Sequence, residues 1–253
     1  MAERLLVLIP PSLTKSTGGR RVAKVGLFDA ELNEARATVN EALAAFLARA
    51  STKELETVLN AKGPLLDRSL SATRLLASGD APLTPAWRRY QGVVWSHLDP
   101  ASLSAATRRR VLVPSGLYGL VTSEDPISDY RLRMNARLGS LGILANFWRP
   151  RVSAVLARHL PRTPIVNLLP QEHAASVDLA ASGAQRRVIQ VHFVAKDEQR
   201  AVGHDAKAVK GILTRHLLDE GLAGIDEMTW QGWRVRREQD HLYVTAPGTR
   251  SVA

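Results

Sequence analysis

The sequence predicts an α/β or mixed α+β fold, because strand-like and helix-like segments alternate along its 253 residues. Residues 5–9 form a continuous apolar run that ends at two prolines, which is typical of a strand buried on both faces. Residues 188–194 alternate apolar and polar side chains, as a half-buried strand does. Residues 29–50 instead place apolar side chains at helical spacing. Since no long linker or repeat interrupts the pattern, we expect one domain over residues 1–253.

The first half of the chain contains several helix signals. Ser51 and Glu54 have the spacing of a capping box, which predicts a short second helix that reaches about residue 60. Gly63 and Pro64 then break the chain. Two further helix starts, with proline at the first helical position, are predicted after Thr84 and Asp99.

The second half continues the alternation of strands and helices. Predicted strands occupy residues 111–113 and 165–169, and predicted helices occupy residues 146–160 and 207–220. Gly221 is the expected end of the last helix. Residues 233–236 and 242–245 flank a polar turn and predict a β-hairpin.

The composition favours an anionic partner. The chain carries 34 Lys and Arg against 24 Asp and Glu, a net charge of +10, which suits nucleic acid, phosphorylated small molecules or acidic membrane surfaces. An arginine-rich proteome would give the same excess. The absence of cysteine excludes disulfides, thiolate metal sites and a cysteine nucleophile. No apolar run approaches the ~20 residues of a membrane span, and no signal peptide is evident, so we expect a cytoplasmic protein.

Two strand-end loops carry groups that suit ligand binding. Residues 10–19 hold four hydroxyl side chains, Lys15 and two glycines, a composition that suits binding of a phosphate or carboxylate. The spacing is not that of a P-loop, and an ordinary strand-exit loop is the alternative. After the strand at residues 111–113, Ser115 and Tyr118 lie beside two glycines, whose bare backbone lets a ligand or another chain approach closely.

Two later segments are further candidates. Glu172 and His173 place a carboxylate next to an imidazole, which suits proton transfer, whereas no spacing supports a metal site. Lys207, Lys210 and Thr214 share one face of the last predicted helix. Because positive side chains near a helix N-terminus oppose the helix dipole, an anion opposite them would explain their position, and a solvated polar face is the alternative.

The order and spacing of these segments resemble the YaaA peroxide-stress family, formerly UPF0246. The Ser-Gly-Leu-Tyr-Gly turn that begins at Ser115 and the Tyr-Arg-Leu-x-Met segment that begins at Tyr130 resemble its signature. Further matches are Leu-Ile-Pro-Pro-Ser-x-Thr-Lys ending at Lys15, Phe147-Trp148, Asn167-Leu168 with Glu172, and Lys207, Lys210-Gly211 and Arg215. The chain departs from the family pattern at Val121-Thr122-Ser123, Asn135 and Ala208, where Leu-Arg-Pro, glycine and lysine are usual.

The resemblance implies a single mixed α/β domain, with a sheet wrapped by helices and a basic cleft. It also implies a role in surviving hydrogen peroxide, with lowered free iron and protection of DNA and protein. A DNA-binding role with a helix-hairpin-helix-like element is proposed for the family. The candidate for that element here is the helix–break–helix of residues 51–76, although it lacks the paired glycines of such a hairpin.

Two functional hypotheses follow. The first is largely sequence-independent, phosphate-directed DNA binding in a basic cleft, helped by base stacking if the aromatic residues near the arginines are not core residues. Its anion- and DNA-binding candidates are Lys15, Ser115, Arg131, Lys207, Lys210 and Arg215. The second is an enzyme acting on a polar anionic or nucleobase-like ligand in a pocket lined by Lys15, Tyr118, Arg131, Glu172 and Lys207. In that case Tyr118, Glu172 and Lys15 are the catalytic candidates. No metal, cofactor or membrane is expected.

Overall fold

The computed structural model describes residues 5–20, 26–159, 162–181, 187–195 and 203–248, which form a mixed α/β fold as the sequence predicts. The strands in these ranges are β1 (Leu6–Leu8), β2 (Thr84–Pro85), β3 (Val111–Ser115), β4 (Gly119–Thr122), β5 (Pro126–Ile127), β6 (Ile165–Asn167), β7 (Val188–Val194), β8 (Thr229–Trp230), β9 (Trp233–Glu238) and β10 (His241–Thr245). One sheet contains eight of them in the order β4-β3-β1-β6-β7-β10-β9-β8, and β2 pairs with β5.

The centre of the large sheet is parallel. Strand β1 lies between β3 and β6, β6 pairs with β7, and β7 pairs with β10, all in parallel. Antiparallel pairing adds β4 beside β3 and β9 beside β10. The chain passes from β1 to β3 on one side and then to β6 and β7 on the other, so the strand order reverses at β1. Open α/β sheets bind ligands outside the carboxyl ends of their strands at such a reversal.

Helices accompany this sheet in the described ranges. They are α1 (Asp29–Leu47), α2 (Thr52–Leu59), α3 (Pro64–Ala77), α4 (Ala86–Arg89), α5 (Val93–Leu98), α6 (Ala105–Arg108), α7 (Leu144–His159), α8 (Gln171–Ala174) and α9 (His204–Asp219), with short 3₁₀ turns at Pro100–Ser102, Gly139–Leu141 and Ile225–Glu227. The predicted capping box is present, because Ser51 Oγ accepts from the Glu54 N–H while Glu54 Oε2 accepts from the Ser51 N–H at 2.8 Å. Within the described ranges no helix is long and apolar enough to cross a membrane.

Several predicted elements are confirmed within a few residues. The strand at residues 188–194 and the C-terminal hairpin of β9 and β10 are present, and the last helix begins three residues earlier than predicted and ends before Gly221. Two predicted N-caps are wrong, although a helical turn follows each of them. Thr84 lies in β2, and α4 begins at Ala86 with Pro85 as its N-cap. Asp99, in the left-handed region at φ 47°, precedes only a 3₁₀ turn and makes no side-chain cap. Strand β4 was not predicted, because its four residues directly follow the glycine turn.

Helices α5 and α9 pack unusually closely. A Cβ atom added to Gly211 would lie 2.4 Å from the carbonyl oxygen of Val94 and 2.8 Å from Cβ of His97. Only glycine therefore permits this approach. The contact holds α5 directly against the middle of α9.

Candidate functional site

A cleft of about 470 Å³ lies at the carboxyl ends of β1 and β6, where the strand order reverses. In the described ranges its lining residues are Pro10, Pro11, Ser12, Leu13, Thr14, Gln91, Gly92, Val93, Val94, Trp95, Pro170, His173, Phe193, Ala206, Lys207 and Lys210. Most are apolar, two are lysines, and none of these lining residues is a carboxylate. The volume lies within the range of about 300–1,000 Å³ typical of small-molecule sites.

Lys15 directly follows the lining residue Thr14, and only 5% of its surface is exposed. Its Nζ donates to the carbonyl oxygen of Ser12 at 2.8 Å and lies 4.1 Å from the centroid of the Tyr130 ring. Burial lowers the pKa of Lys15 to about 7, although the nearby carboxylate of Asp129 opposes the shift. Lys15 is therefore suited to exchanging a proton near neutral pH, rather than to acting as a fixed positive charge.

The lowered pKa of Lys15 makes a prediction about stability. In the unfolded chain Lys15 becomes protonated near pH 10.5, whereas in the folded protein it becomes protonated only near pH 7. Lys15 therefore lowers the free energy of unfolding by a growing amount as the pH falls from about 10 to 7. We expect the free energy of unfolding of the wild type to rise, relative to that of Lys15→Met, by about 2–3 kcal/mol between pH 7 and pH 10. Urea unfolding at four pH values measures this difference, with the exposed Lys53→Met as the matched control. A difference that does not change with pH would contradict the burial of the ammonium group.

Three phenols and two hydroxyls form a cluster beside the Lys15 ammonium group. Ser115 Oγ donates to Tyr130 Oη at 2.8 Å, and Tyr130 Oη lies 2.8 Å from Tyr90 Oη. The rings of Tyr118 and Tyr130 pack edge to face, and Tyr118 Oη lies 2.8 Å from Ser128 Oγ. Burial raises the pKa of all three tyrosines, so their phenols stay protonated at neutral pH.

Glu172 and His173 have different partners, although each shifts the pKa of the other. Arg133 Nη2 donates to Glu172 Oε2 at 3.0 Å. Burial acts to raise the pKa of Glu172, but the hydrogen bond from Arg133, with the charges of His173 and Arg133, outweighs it and holds this pKa below its usual value. Burial lowers the pKa of His173, which lines the cleft, to about 4, so its imidazole is neutral at pH 7. No described residue is within hydrogen-bond reach of the buried His173 Nδ1.

Lys207 and Lys210 bring positive charge to the cleft from the start of α9. Lys207 is exposed, whereas Lys210 Nζ donates to the carbonyl oxygen of Leu168 at 2.6 Å and lies 5.1 Å from the centroid of the Phe193 ring. Burial, followed by the charge of Lys207, lowers the pKa of Lys210 to about 8. Lys210 is thus a largely buried ammonium group beside a second cation.

The two arginine candidates are bound to other parts of the protein. Arg131 Nε donates to the carbonyl oxygens of Leu59 and Asn60 at the end of α2, both at 2.9 Å, and Nη1 donates to that of Leu13 at 3.2 Å. Arg131 therefore holds the loop after β1 against the turn between α2 and α3. Arg215 lies near the other end of α9, where it donates to Asp219 and Ser102.

The fold brings most of the candidate residues to one region. Lys15, Ser115 and Tyr118 meet around Tyr130, while Lys207 and Lys210 line the adjacent cleft. Arg131 contacts Leu13 in the loop that forms one wall of the cleft. Glu172 lies next to the lining residue His173, whereas Arg215 is not among the described lining residues. The roles assigned to these residues from the sequence stay predictions.

The surroundings of several residues in and beside the cleft could not be assigned from the sequence. Trp95 and Tyr90 are only 3% and 2% exposed, so they are core residues and offer no free face to a base. Phe193 lies on the face of β7 that contacts Lys210. The alternation of apolar and polar residues in β7 predicts two faces, but it does not show which of them borders a site. Arg89, one of the arginines next to these aromatic residues, is fully buried.

Among the described residues, no three His, Asp or Glu side chains are placed to hold a metal ion together.

Comparison with known proteins identifies the family. The family model of the peroxide stress protein YaaA matches residues 5–239. A UPF0246 protein of Streptomyces coelicolor is 34% identical over 229 residues, which are 87% of this chain and 85% of that protein. A UPF0246 protein of a Ruegeria species is 30% identical over 162 residues, 60% of this chain and 64% of that protein. One from Corynebacterium glutamicum is 27% identical over 220 residues, 84% of each chain. The chain belongs to the YaaA (UPF0246) family of peroxide stress proteins.

Proposed function

We propose that the cleft binds a small anionic ligand and that this binding is the protein's activity in the peroxide-stress role of its family. The observation that carries the proposal is the environment of Lys210. Its ammonium group is largely buried beside Lys207, and the described groups that shift its pKa include no carboxylate. A buried charge without an opposite charge is costly, and an anion in the cleft would offset that cost.

The rest of the cleft limits the size and polarity of the ligand. Its volume of about 470 Å³ exceeds what a simple inorganic anion requires, and prolines, valines and Phe193 form much of its wall. Ser12, Thr14 and Gln91 add a few neutral polar groups. This lining suits an organic ligand with one charged end and an apolar or aromatic body.

An enzymatic role would use the groups beside the cleft. Lys15, Tyr118 and Glu172 stay the catalytic candidates, and Lys15 fits proton transfer best because its pKa lies near 7. Tyr118 remains protonated and Glu172 remains paired with Arg133, so these two fit hydrogen-bonding and positioning roles better than proton exchange.

The test is ligand binding by cleft variants. A thermal-shift screen of organic anions should find compounds that stabilise the wild type, and calorimetry should then give their affinity. We expect Lys210→Met to weaken binding about 10–100-fold, the value of one hydrogen bond to a charged group. Lys53→Met, which changes an exposed lysine that is not among the described lining residues, should bind as the wild type does. If no organic anion stabilises the protein, or if Lys210→Met binds unchanged, the proposal fails.

Phosphate-directed DNA binding is the second candidate, and the surface between α2 and α3 favours it. The net charge of +10 suits a polyanion. In the turn, the side chain of Lys62 is 82% exposed, with its Nζ 3.9 Å from the Glu56 carboxylate, and a Cβ atom added to Gly63 would meet nothing within 4 Å. A phosphate group would have open access to this backbone, in the helix–break–helix that is the candidate for the family's proposed DNA-binding element.

DNA binding of this kind has a definite salt dependence. We expect duplexes of unrelated sequence to bind equally well, and the affinity to fall by at least about 10-fold between 50 and 200 mM salt, because each contacted phosphate releases counterions. Lys62→Met should reduce the slope of log affinity against log salt by about one, whereas Lys53→Met should not. A filter-binding titration without duplex binding at low salt would remove this candidate.

A further inference from the structure

The lining of the cleft has two chemically different parts. Helix α9 contributes the two lysines, whereas the residues after β1 and at the start of α5 contribute mostly apolar surface. We propose that the cleft recognises the terminal phosphate monoester of a nucleotide, with the phosphate at the start of α9 and the nucleoside in the apolar part. This inference rests on the proposed binding of a small anion and names its chemical class.

The start of α9 offers several donors to one phosphate. The helix has 16 residues, and its N-cap, Gly203, has no side chain that could cap the first turn. That turn also contains Asp205, which is exposed and is not among the described lining residues of the cleft. The Lys207 N–H is the first that bonds within the helix, to the carbonyl oxygen of Gly203 at 3.2 Å, so the preceding amides of the turn have no partner inside the helix, and Ala206 of that turn lines the cleft. Backbone N–H groups and the helix dipole favour a phosphate here, and the two lysines are three residues apart on the same face.

A phosphate monoester fits this end better than a carboxylate does. It carries up to two negative charges and three strongly accepting terminal oxygens, so it can satisfy both lysines and the backbone amides at once. A carboxylate has a single charge and two oxygens. Since the described wall contains two cations and no carboxylate, the dianion is the better match in charge.

The remainder of the cleft fits a nucleoside in size and polarity. Pro11, Val93 and Phe193 provide apolar surface for a flat ring, while Gln91 and Thr14 supply polar groups for ring edges. Trp95, which is 3% exposed and lines the cleft, also has an indole N–H with no described acceptor. A buried donor without an acceptor calls for a polar partner, which can be an ordered water or a ligand atom.

Two sources present this chemistry: a free nucleoside monophosphate and the phosphorylated end of a DNA strand. Calorimetry on the full chain distinguishes them with five probes: a nucleoside 5′-monophosphate, the matching nucleoside, inorganic phosphate, and a short oligonucleotide with and without a 5′-phosphate. In the pair that binds, nucleotide or oligonucleotide, we expect the phosphorylated probe to bind at least about 10-fold more tightly than the unphosphorylated one. One charge-assisted hydrogen bond accounts for a difference of this size. Inorganic phosphate should bind more weakly than the preferred phosphorylated probe.

Variants assign the binding to this cleft. Lys207→Met should remove most of the advantage of the phosphorylated probe, and it leaves the fold intact because Lys207 is exposed. Lys210→Met should do the same if circular dichroism shows that it folds, and Lys53→Met should change nothing. Equal affinity for phosphorylated and unphosphorylated probes, or an advantage that survives Lys207→Met, would overturn the inference.

Binding of an aromatic carboxylate, measured in the same way, distinguishes a failure of this inference from a failure of the proposed function. If the carboxylate binds in a Lys210-dependent way while no nucleotide or strand end does, the phosphate-monoester inference fails and the anion site remains. If none of these anions binds, both fail.

Discussion

Replacing Arg89 by methionine is expected to lower the free energy of unfolding by about 4 kcal/mol, the largest effect of any substitution proposed for this protein. Arg89 is fully buried at the end of α4. Its guanidinium donates to the carbonyl oxygens of Ser16 at 2.7 Å, Gly18 at 2.9 Å, Pro82 at 3.1 Å and Ile127 at 3.3 Å. Methionine has similar length but no donor, so these carbonyl groups would lose their partner without gaining water.

The effect reaches the candidate site because Arg89 fixes the loop after β1. Urea unfolding at pH 7 measures the loss, and the neighbouring Arg88→Met is the matched control. Arg88 is exposed and its guanidinium lies 4.8 Å from the Trp87 ring, a surface contact worth about 0.5–1 kcal/mol. Equal losses for the two variants would mean that burial of the guanidinium is not what stabilises this loop.

Substituting Gly119 by alanine is expected to cost about 3–4 kcal/mol. Gly119 begins β4 with φ 72°, a left-handed conformation that disfavours any side chain. A Cβ atom there would also lie 2.6 Å from Cε3 of Trp148, whose ring is fully buried and whose Nε1 donates to Gly116 at 2.9 Å. The ring cannot move without breaking that hydrogen bond, so both the backbone and the core are strained.

A second glycine separates these two contributions. Gly139 also has a positive φ, 50°, but a Cβ atom there meets nothing within 4 Å. Gly139→Ala should therefore cost only the backbone term, about 1 kcal/mol. Thermal and urea unfolding of both variants give the difference. If the two alanine variants lose equal stability, the contact with Trp148 contributes nothing to the requirement for glycine.

Local signals in the sequence were reliable where a short segment carries its own energetics. The capping box at Ser51 forms because both of its hydrogen bonds join residues three apart. Strand β7 and the hairpin of β9 and β10 follow from side-chain alternation and from a polar turn. The predicted caps at Thr84 and Asp99 failed because β2 pairs with β5 and because Asp99 adopts a left-handed conformation, neither of which is visible locally.

The candidate site divides in the same way. The residue types that carry charge and hydroxyl groups near the strand ends were identified from the sequence, and the family from their order. The sequence did not show which of these residues are buried. Lys15 and Arg89 are both basic residues in the sequence, yet the fold encloses the first against Tyr130 and uses the second to bind four carbonyl groups.

The sequence by itself determined the alternation of strands and helices, the excess of positive charge and the membership of the YaaA family, because these depend on residue order and composition. Only the tertiary structure decided that the strand order reverses at β1, that Gly211 lets α9 approach α5, and that Lys207 and Lys210 line one cleft with Phe193. The physical reason is that burial, and with it the pKa of a lysine or the accessibility of an arginine, is set by residues distant in the chain.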